Sequence, residues 1–168
     1  MAQPCLTWSS YSQVYDGFMT ESPVLSANGC SVRKTLDALG PISSLLVLRD
    51  ASEGIRRFED FVASTGLNEA TVAARLKRLV ALGILTKSPY VEEGKRSRHE
   101  YVLTETGNEL VPVIVALRQW GDQHRPDNGP MRAVDRATNE PMMLRYVSDS
   151  GRVVSEQDVV MVGNHPTD

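Results

Sequence analysis

The stretch from Gly66 to Leu85 limits the fold more than any other segment, because it predicts a capped amphipathic helix that runs straight into a strand. Asn68 is placed as an N-cap, its side-chain oxygen able to accept from first-turn amides that have no intrahelical partner. Gly83 marks the stop. Between them Val72, Leu76, Leu79 and Gly83 recur at the spacing of one helical face, which predicts a buried stripe. The remaining surface carries Asn68, Thr71, Ala74, Arg75 and Arg78. Two readings of that surface are open, an ordinary solvated helix or one that offers small side chains and arginine donors to a major groove.

The downstream residues favour the second reading. Ile84 to Val91 reads as a strand, Glu92 to Ser97 as a charged turn and Arg98 to Leu103 as the returning strand. Lys95, Arg96 and Arg98 crowd positive charge at the tip and return of this hairpin. Mutual repulsion disfavours such a cluster unless an anion sits nearby or the tip is simply solvated. Upstream, helical spacing over 32–39 and 42–50, then from Phe58 to Ala63, supplies the helices that precede a recognition helix. From Arg56 to Arg98 there are nine Lys or Arg against five Asp or Glu, in a chain whose net charge is −3. A local basic surface is therefore compatible with an acidic total. The fold class that follows is mostly α with a β-hairpin wing (α+β), a winged helix-turn-helix.

In this order the residues resemble a known family. Cys30-Ser31-Val32 with Thr35-Leu36 and Leu39-Gly40, Gly54, Arg57-Phe58, Gly66-Leu67 through Arg75-Leu76 to Leu79, Gly83-Ile84-Leu85, Tyr101-Val102-Leu103-Thr104, Gly107, and Leu110-Val111-Pro112 to Trp120 resemble the HxlR-type regulators, within the broader MarR-like winged-helix group. No one of these elements is specific; their order and spacing over residues 30–122 are. The resemblance implies a small dimeric DNA-binding transcription factor, often a repressor, whose dimer is built by the N-terminal helix and the helix after the wing. Two departures stand out. Gly40-Pro41-Ile42 replaces the family's Gly-Lys-Trp run, which predicts less side-chain volume for the core there, and Gly94-Lys95-Arg96-Ser97-Arg98 replaces a proline-containing wing with a more flexible, more basic one.

Three regions are expected: an N-terminal arm over 1–29, the winged helix-turn-helix domain over 30–122 and a C-terminal extension over 127–168. In the arm, Trp8, Tyr11, Tyr15 and Phe18 either line one helical face or act as separate packing points, and Ser22-Pro23 interrupts any longer helix. A dimerisation helix is predicted over 105–123, capped by Thr104 and bent locally by Pro112 in its interior. Leu110, Val113, Ile114, Leu117 and Trp120 form its apolar stripe, to be covered by a second copy or by the core of the same subunit. The turn formers from Gln123 to Pro130 end that helix. Beyond them, strands are predicted over Met131–Thr138, Met142–Val147, Arg152–Val154 and Val159–Val162, with a turn over Ser148–Gly151. The alternative is a disordered acidic tail, since seven acidic residues face four arginines from Asp127 to Asp168. Some family members from high-GC bacteria resemble this chain in carrying such an extension.

The remaining chemistry is sparse. With only Cys5 and Cys30, and His99, His124 and His165 scattered, zinc-ligand spacing is absent and no metal is expected. Cys30 matches the position that senses oxidants or electrophiles in some members of the family, so it is a candidate redox sensor. A helix N-terminus together with Arg33 or Lys34 would favour its thiolate, and the other reading is a small buried apolar residue. No phosphate loop, serine elbow or histidine-carboxylate arrangement is present, so no enzyme activity and no cofactor are expected. No apolar run reaches the roughly 20 residues of a membrane span, and the first residues do not read as a secretion signal. The expectation is a cytoplasmic homodimeric regulator, with double-stranded DNA and a second copy as partners and a candidate small-molecule effector. The alternative is a protein-interaction or ligand-sensing module that keeps the fold without specific DNA binding.

Overall fold

A computed structural model describes residues 30–91, 94, 96–125 and 132–161; the expected arm over 1–29 lies outside the described residues. The elements are α1 (Ser31–Leu39), α2 (Ile42–Ser52), α3 (Phe58–Thr65), α4 (Glu69–Ala81), β1 (Leu85–Tyr90), β2 (Arg98–Leu103), α5 (Glu105–Asn108), α6 (Val111–His124), β3 (Tyr146–Val147), β4 (Val153–Val154) and a 3-10 turn over Glu156–Asp158. This is an α+β winged helix-turn-helix, as the helix and hairpin patterns predict.

Helix α2 is the centre of the core. Ser44, Val47, Leu48 and Ala51 recur at helical spacing and are all buried, and Phe61 of α3, Val72, Leu76 and Leu79 of α4, Ile84 and Leu85 at the start of the wing, and Ile114 of α6 close around them. Burying each large apolar side chain contributes roughly 1.5–3 kcal/mol. Asp50 is fully buried beside them, its Oδ1 accepting from Arg49 Nε at 2.8 Å. Ile42 is exposed, so this position lies outside the core. The expected shortage of core volume at Gly40-Pro41-Ile42 does not arise.

The join between α4 and β1 is a Schellman motif. Gly83 has φ +70°, its N–H donates to the Val80 carbonyl at 3.0 Å, and the Ile84 N–H donates to the Leu79 carbonyl at 2.9 Å. Gly83 therefore does not extend the buried stripe of α4, as its spacing predicts; it is exposed just past the helix, where a left-handed backbone is needed. The wing is antiparallel, pairing Leu85 with Leu103 and Tyr90 with Arg98.

Residues 105–123 do not form one bent helix. They form α5 and α6, with Leu110 between them at the N-cap of α6 and Pro112 in its first turn. The first-turn amide that proline lacks would have had no partner, so Pro112 starts a helix instead of distorting one. Thr104 caps α5, its Oγ1 accepting from the Gly107 N–H at 3.0 Å. The extension carries less strand than predicted. Met131 and Val162 lie outside the described residues; among the described ones the first two expected strands reduce to an isolated Val134–Pro141 bridge and the two residues of β3, β4 pairs with β3 across the 148–151 turn, and Val159 to Met161 form no strand. Asp135 accepts from the Thr138 and Ala137 N–H groups, which lowers its pKa and holds the intervening chain as a turn. Leu144 N–H donates to Gln119 Oε1 at 3.1 Å, tying the extension to α6.

Two glycines should respond oppositely to alanine. At Gly107 a Cβ would lie 2.2 Å from the Ile84 carbonyl oxygen and 2.9 Å from Leu103 Cδ2. Gly107→Ala should cost about 1–3 kcal/mol or more in urea unfolding. Nothing lies within 4 Å of a Cβ at Gly121 inside α6, so Gly121→Ala should be neutral or stabilise by up to ~1 kcal/mol.

Candidate nucleic-acid interface

Helix α3, the turn at Gly66-Leu67-Asn68 and helix α4 form the helix-turn-helix. Gly66 (φ +66°) ends α3 in a left-handed conformation, and Asn68 then caps α4, its Oδ1 accepting from the Thr71 N–H at 2.8 Å. With Val72, Leu76 and Leu79 fully buried, the orientation of α4 is fixed by its own apolar stripe. Asn68, Ala74 and Arg78 are exposed, and Thr71 and Arg75 are half-buried.

The predicted arginines lie on the same flank of the helix but do not both point outward. Counted around the helix from Val72, Arg75 lies about 60° and Arg78 about 120° to one side, and Lys77 about 140° to the other. Arg75 is half-buried, with its Nε buried and, among the described residues, without a hydrogen-bond partner. Arg78 turns back to the protein, Nε donating to the Ala38 carbonyl and Nη2 to the Asp37 carbonyl, both at 2.7 Å. Its place in an outward-pointing arginine pair is therefore corrected: the C-terminal carbonyls of α1 lack intrahelical donors and draw the guanidinium to them. Lys77 is the basic residue closest to the middle of the exposed face, and among the described residues it meets no carboxylate. Counting by 100° steps from the buried stripe finds it in the sequence; searching for arginines misses it.

The wing divides in the same way. Lys95 lies outside the described residues. Arg96 is exposed and, among the described residues, unpaired. Arg98 is not a free tip cation, because its Nη1 meets Glu59 Oε1 of α3 at 3.1 Å. Further pairs secure the strands to the start of α3: the Tyr101 N–H donates to the Arg56 carbonyl at 2.8 Å, Arg56 meets Glu100 at 3.6 Å, and the Arg57 guanidinium lies 4.9 Å from the Tyr90 ring centre. Tyr101 packs edge-on against Phe61, and burial raises its phenol pKa.

The five apolar residues predicted for a dimer separate into two groups. Ile114 is buried in the core and Leu110 packs against it, so these two serve the chain's own core. Val113, Leu117 and Trp120 remain 47%, 54% and 59% exposed on α6. Cys30 is half-buried at the N-cap of α1, a free thiol that makes no side-chain cap. Among the described residues no group of His, Cys, Asp and Glu is placed to hold a metal ion, and no helix is long and apolar enough to cross a membrane.

Comparison with known proteins agrees with this geometry. The model of the HxlR-like helix-turn-helix family matches residues 26–128. The uncharacterized HTH-type transcriptional regulator MT3179 of Mycobacterium tuberculosis (strain CDC 1551 / Oshkosh) is 41% identical over 106 residues, 62% of this chain and 66% of that protein. The chain thus spans slightly under two thirds of the length of such relatives. Among solved structures, PA1607, a proposed transcription factor, aligns with a TM-score of 0.68 at 35% identity, over 83% of this chain and 99% of its own. The redox regulator HypR in its reduced form aligns with a TM-score of 0.51 at 27% identity, over 57% of this chain and 94% of its own.

The cap at the start of α4 is open to a direct test. Asn68→Ala removes the acceptor for the Thr71 N–H and should lower stability by about 1 kcal/mol in chemical denaturation, while Asn68→Asp should retain most of it.

Proposed function

Because the chain belongs to the HxlR-like helix-turn-helix family, we propose that it is a sequence-specific DNA-binding transcriptional regulator, acting as a homodimeric repressor on an inverted repeat. The observation that carries this reading is the surface of α4. Its solvent side offers small residues, Ala70, Ala73 and Ala74, around Lys77, with Thr71 and Arg75 along one flank. A helix of this kind can approach base edges closely without a bulky side chain in the way. The Schellman turn fixes the wing to the end of that helix, so Arg96 supplies charge for the phosphate backbone.

Homodimerisation is supported by the exposed Val113, Leu117 and Trp120 on α6, an apolar row more readily explained by a second copy than by water. Two copies related by a twofold axis would present their recognition helices to successive turns of DNA, and a dimer seated on a promoter would exclude polymerase. Oxidant control through Cys30 is supported by its N-cap position and by the likeness to HypR, a redox regulator. A ligand-sensing reading rests on a groove of about 810 Å³ between α6 and the extension, where Trp120, His124, Tyr146 and Arg145 come together. Action in the cytoplasm, without an enzymatic activity, is consistent with all of these roles.

Selection of bound fragments from the host genome, followed by sequencing, tests the reading: an enriched inverted repeat is expected, and failure to enrich any fragment would turn the assignment toward the ligand-sensing or protein-interaction module. On the selected operator, Lys77→Ala with Arg96→Ala should weaken binding and lower the slope of log affinity against log salt by roughly 1.8, about 0.9 for each phosphate no longer neutralised. An unchanged slope would show that neither side chain neutralises a phosphate.

A further inference from the structure

We propose that Arg78 is a positioning residue which couples the recognition helix to α1 and does not itself read DNA. The proposal rests on the DNA-binding role of α4 and concerns how that helix is held. The Nε and Nη2 donors of Arg78 reach two consecutive carbonyls, those of Ala38 and Asp37, at 2.7 Å each. The planar guanidinium suits this fork, the charge strengthens both bonds, and the acceptors lie at the negative end of α1.

The local backbone is shaped around this fork. Gly40 has φ +85°, and a Cβ there would lie 3.2 Å from Arg78 Nε and 3.4 Å from Cζ. Glycine gives both the backbone conformation and the clearance that bring the guanidinium against the end of α1.

Among the described residues, helix α1 has little else to hold it. Residues 31–38 are all exposed, and of this helix only Leu39 enters the core. A groove of about 480 Å³ separates α1 from Leu82, Ile84 and Leu110. The ion pair of Arg33 with Asp37, at 3.5 Å, stays within the helix. Leu39 and the Arg78 fork therefore set where α1 sits against α4. A displacement of α1, whether by a partner on its exposed Val32 and Leu36 or by chemistry at Cys30 beside its first turn, would reach the recognition helix through this fork.

A positioning role and a DNA-reading role give different results. In the free protein, Arg78→Ala should speed amide hydrogen exchange across α1 at least tenfold, including the Gly40 N–H that donates to Leu36, and leave Val72 to Leu79 protected. On the selected operator it should weaken specific binding about tenfold with an unchanged salt slope and an unchanged base preference. Arg78→Lys, with one ammonium in place of a fork, should fall between wild type and alanine in both measurements, and it carries the test should the alanine variant not fold. Unchanged exchange in α1, a salt slope lowered by about 0.9, or relaxed preference at a single base pair would overturn the proposal. Wild-type protein that retains no DNA would instead mark failure of the DNA-binding reading, while accelerated α1 exchange in the variant would still establish the link.

Discussion

The peptide units of Gly83 and Ile84 hold the structure's separate pieces in register. The Ile84 N–H closes the end of α4 on Leu79, and its carbonyl accepts from the Thr104 N–H at 3.1 Å, where the wing ends. Thr104 Oγ1 donates to the Gly83 carbonyl at 2.5 Å and accepts from Gly107, starting α5. One short junction thus joins α4, both wing strands and the approach to α6. Ile84, Leu85 and Leu79 are buried on the inner side of the junction, while Gly83 and its bond from Thr104 lie at the surface. The absence of a Cβ at Gly107 lets α5 come close enough to complete it.

With this junction fixed, the basic residues of the domain divide by task. Arg56, Arg57 and Arg98 hold the wing to α3, Arg78 holds α1, and Lys87 sits over the Tyr101 ring, 5.9 Å from its centre. These interactions are mostly near the surface, where each isolated ion pair contributes little, about 0–1 kcal/mol. Their effect is chiefly geometric. They orient the hairpin and the first helix while leaving Lys77 and Arg96 facing solvent. Counting cationic residues along the chain therefore overstates how many of their side chains are left unengaged for an anionic partner.

The extension is a modest structure beside α6. Gln119 ties it to the helix, and a turn at Asp135 and the short β3–β4 pair give it order. Met142, Met143, Tyr146 and Val147 stay exposed, which explains why alternating apolar residues there did not produce longer strands. Alternation makes a strand stable when one face is buried, and these residues have no such surface to cover.

Much of the fold was legible in residues 30–103 because local and tertiary preferences agree there: the Asn68 cap, the Val72–Leu76–Leu79 stripe and the Gly83 stop each specify one backbone conformation. Pro112 was harder to place, since proline is compatible with a first turn or with a kink, and only the separation of α5 from α6 decides between them. The candidate site was legible as a segment but not residue by residue. Sequence spacing put Arg75, Arg78 and Arg98 on polar surfaces, yet long cationic side chains choose among partners brought close by folding. Tertiary structure gave Arg78 the carbonyls of α1, gave Arg98 the carboxylate of Glu59, and left Lys77 outward. The sequence alone determined which face of α4 is buried, because the spacing of its apolar residues is a periodic, local property. Which charges of α4 and the wing remain unengaged was decided by pairings about forty residues apart, and no local pattern encodes those.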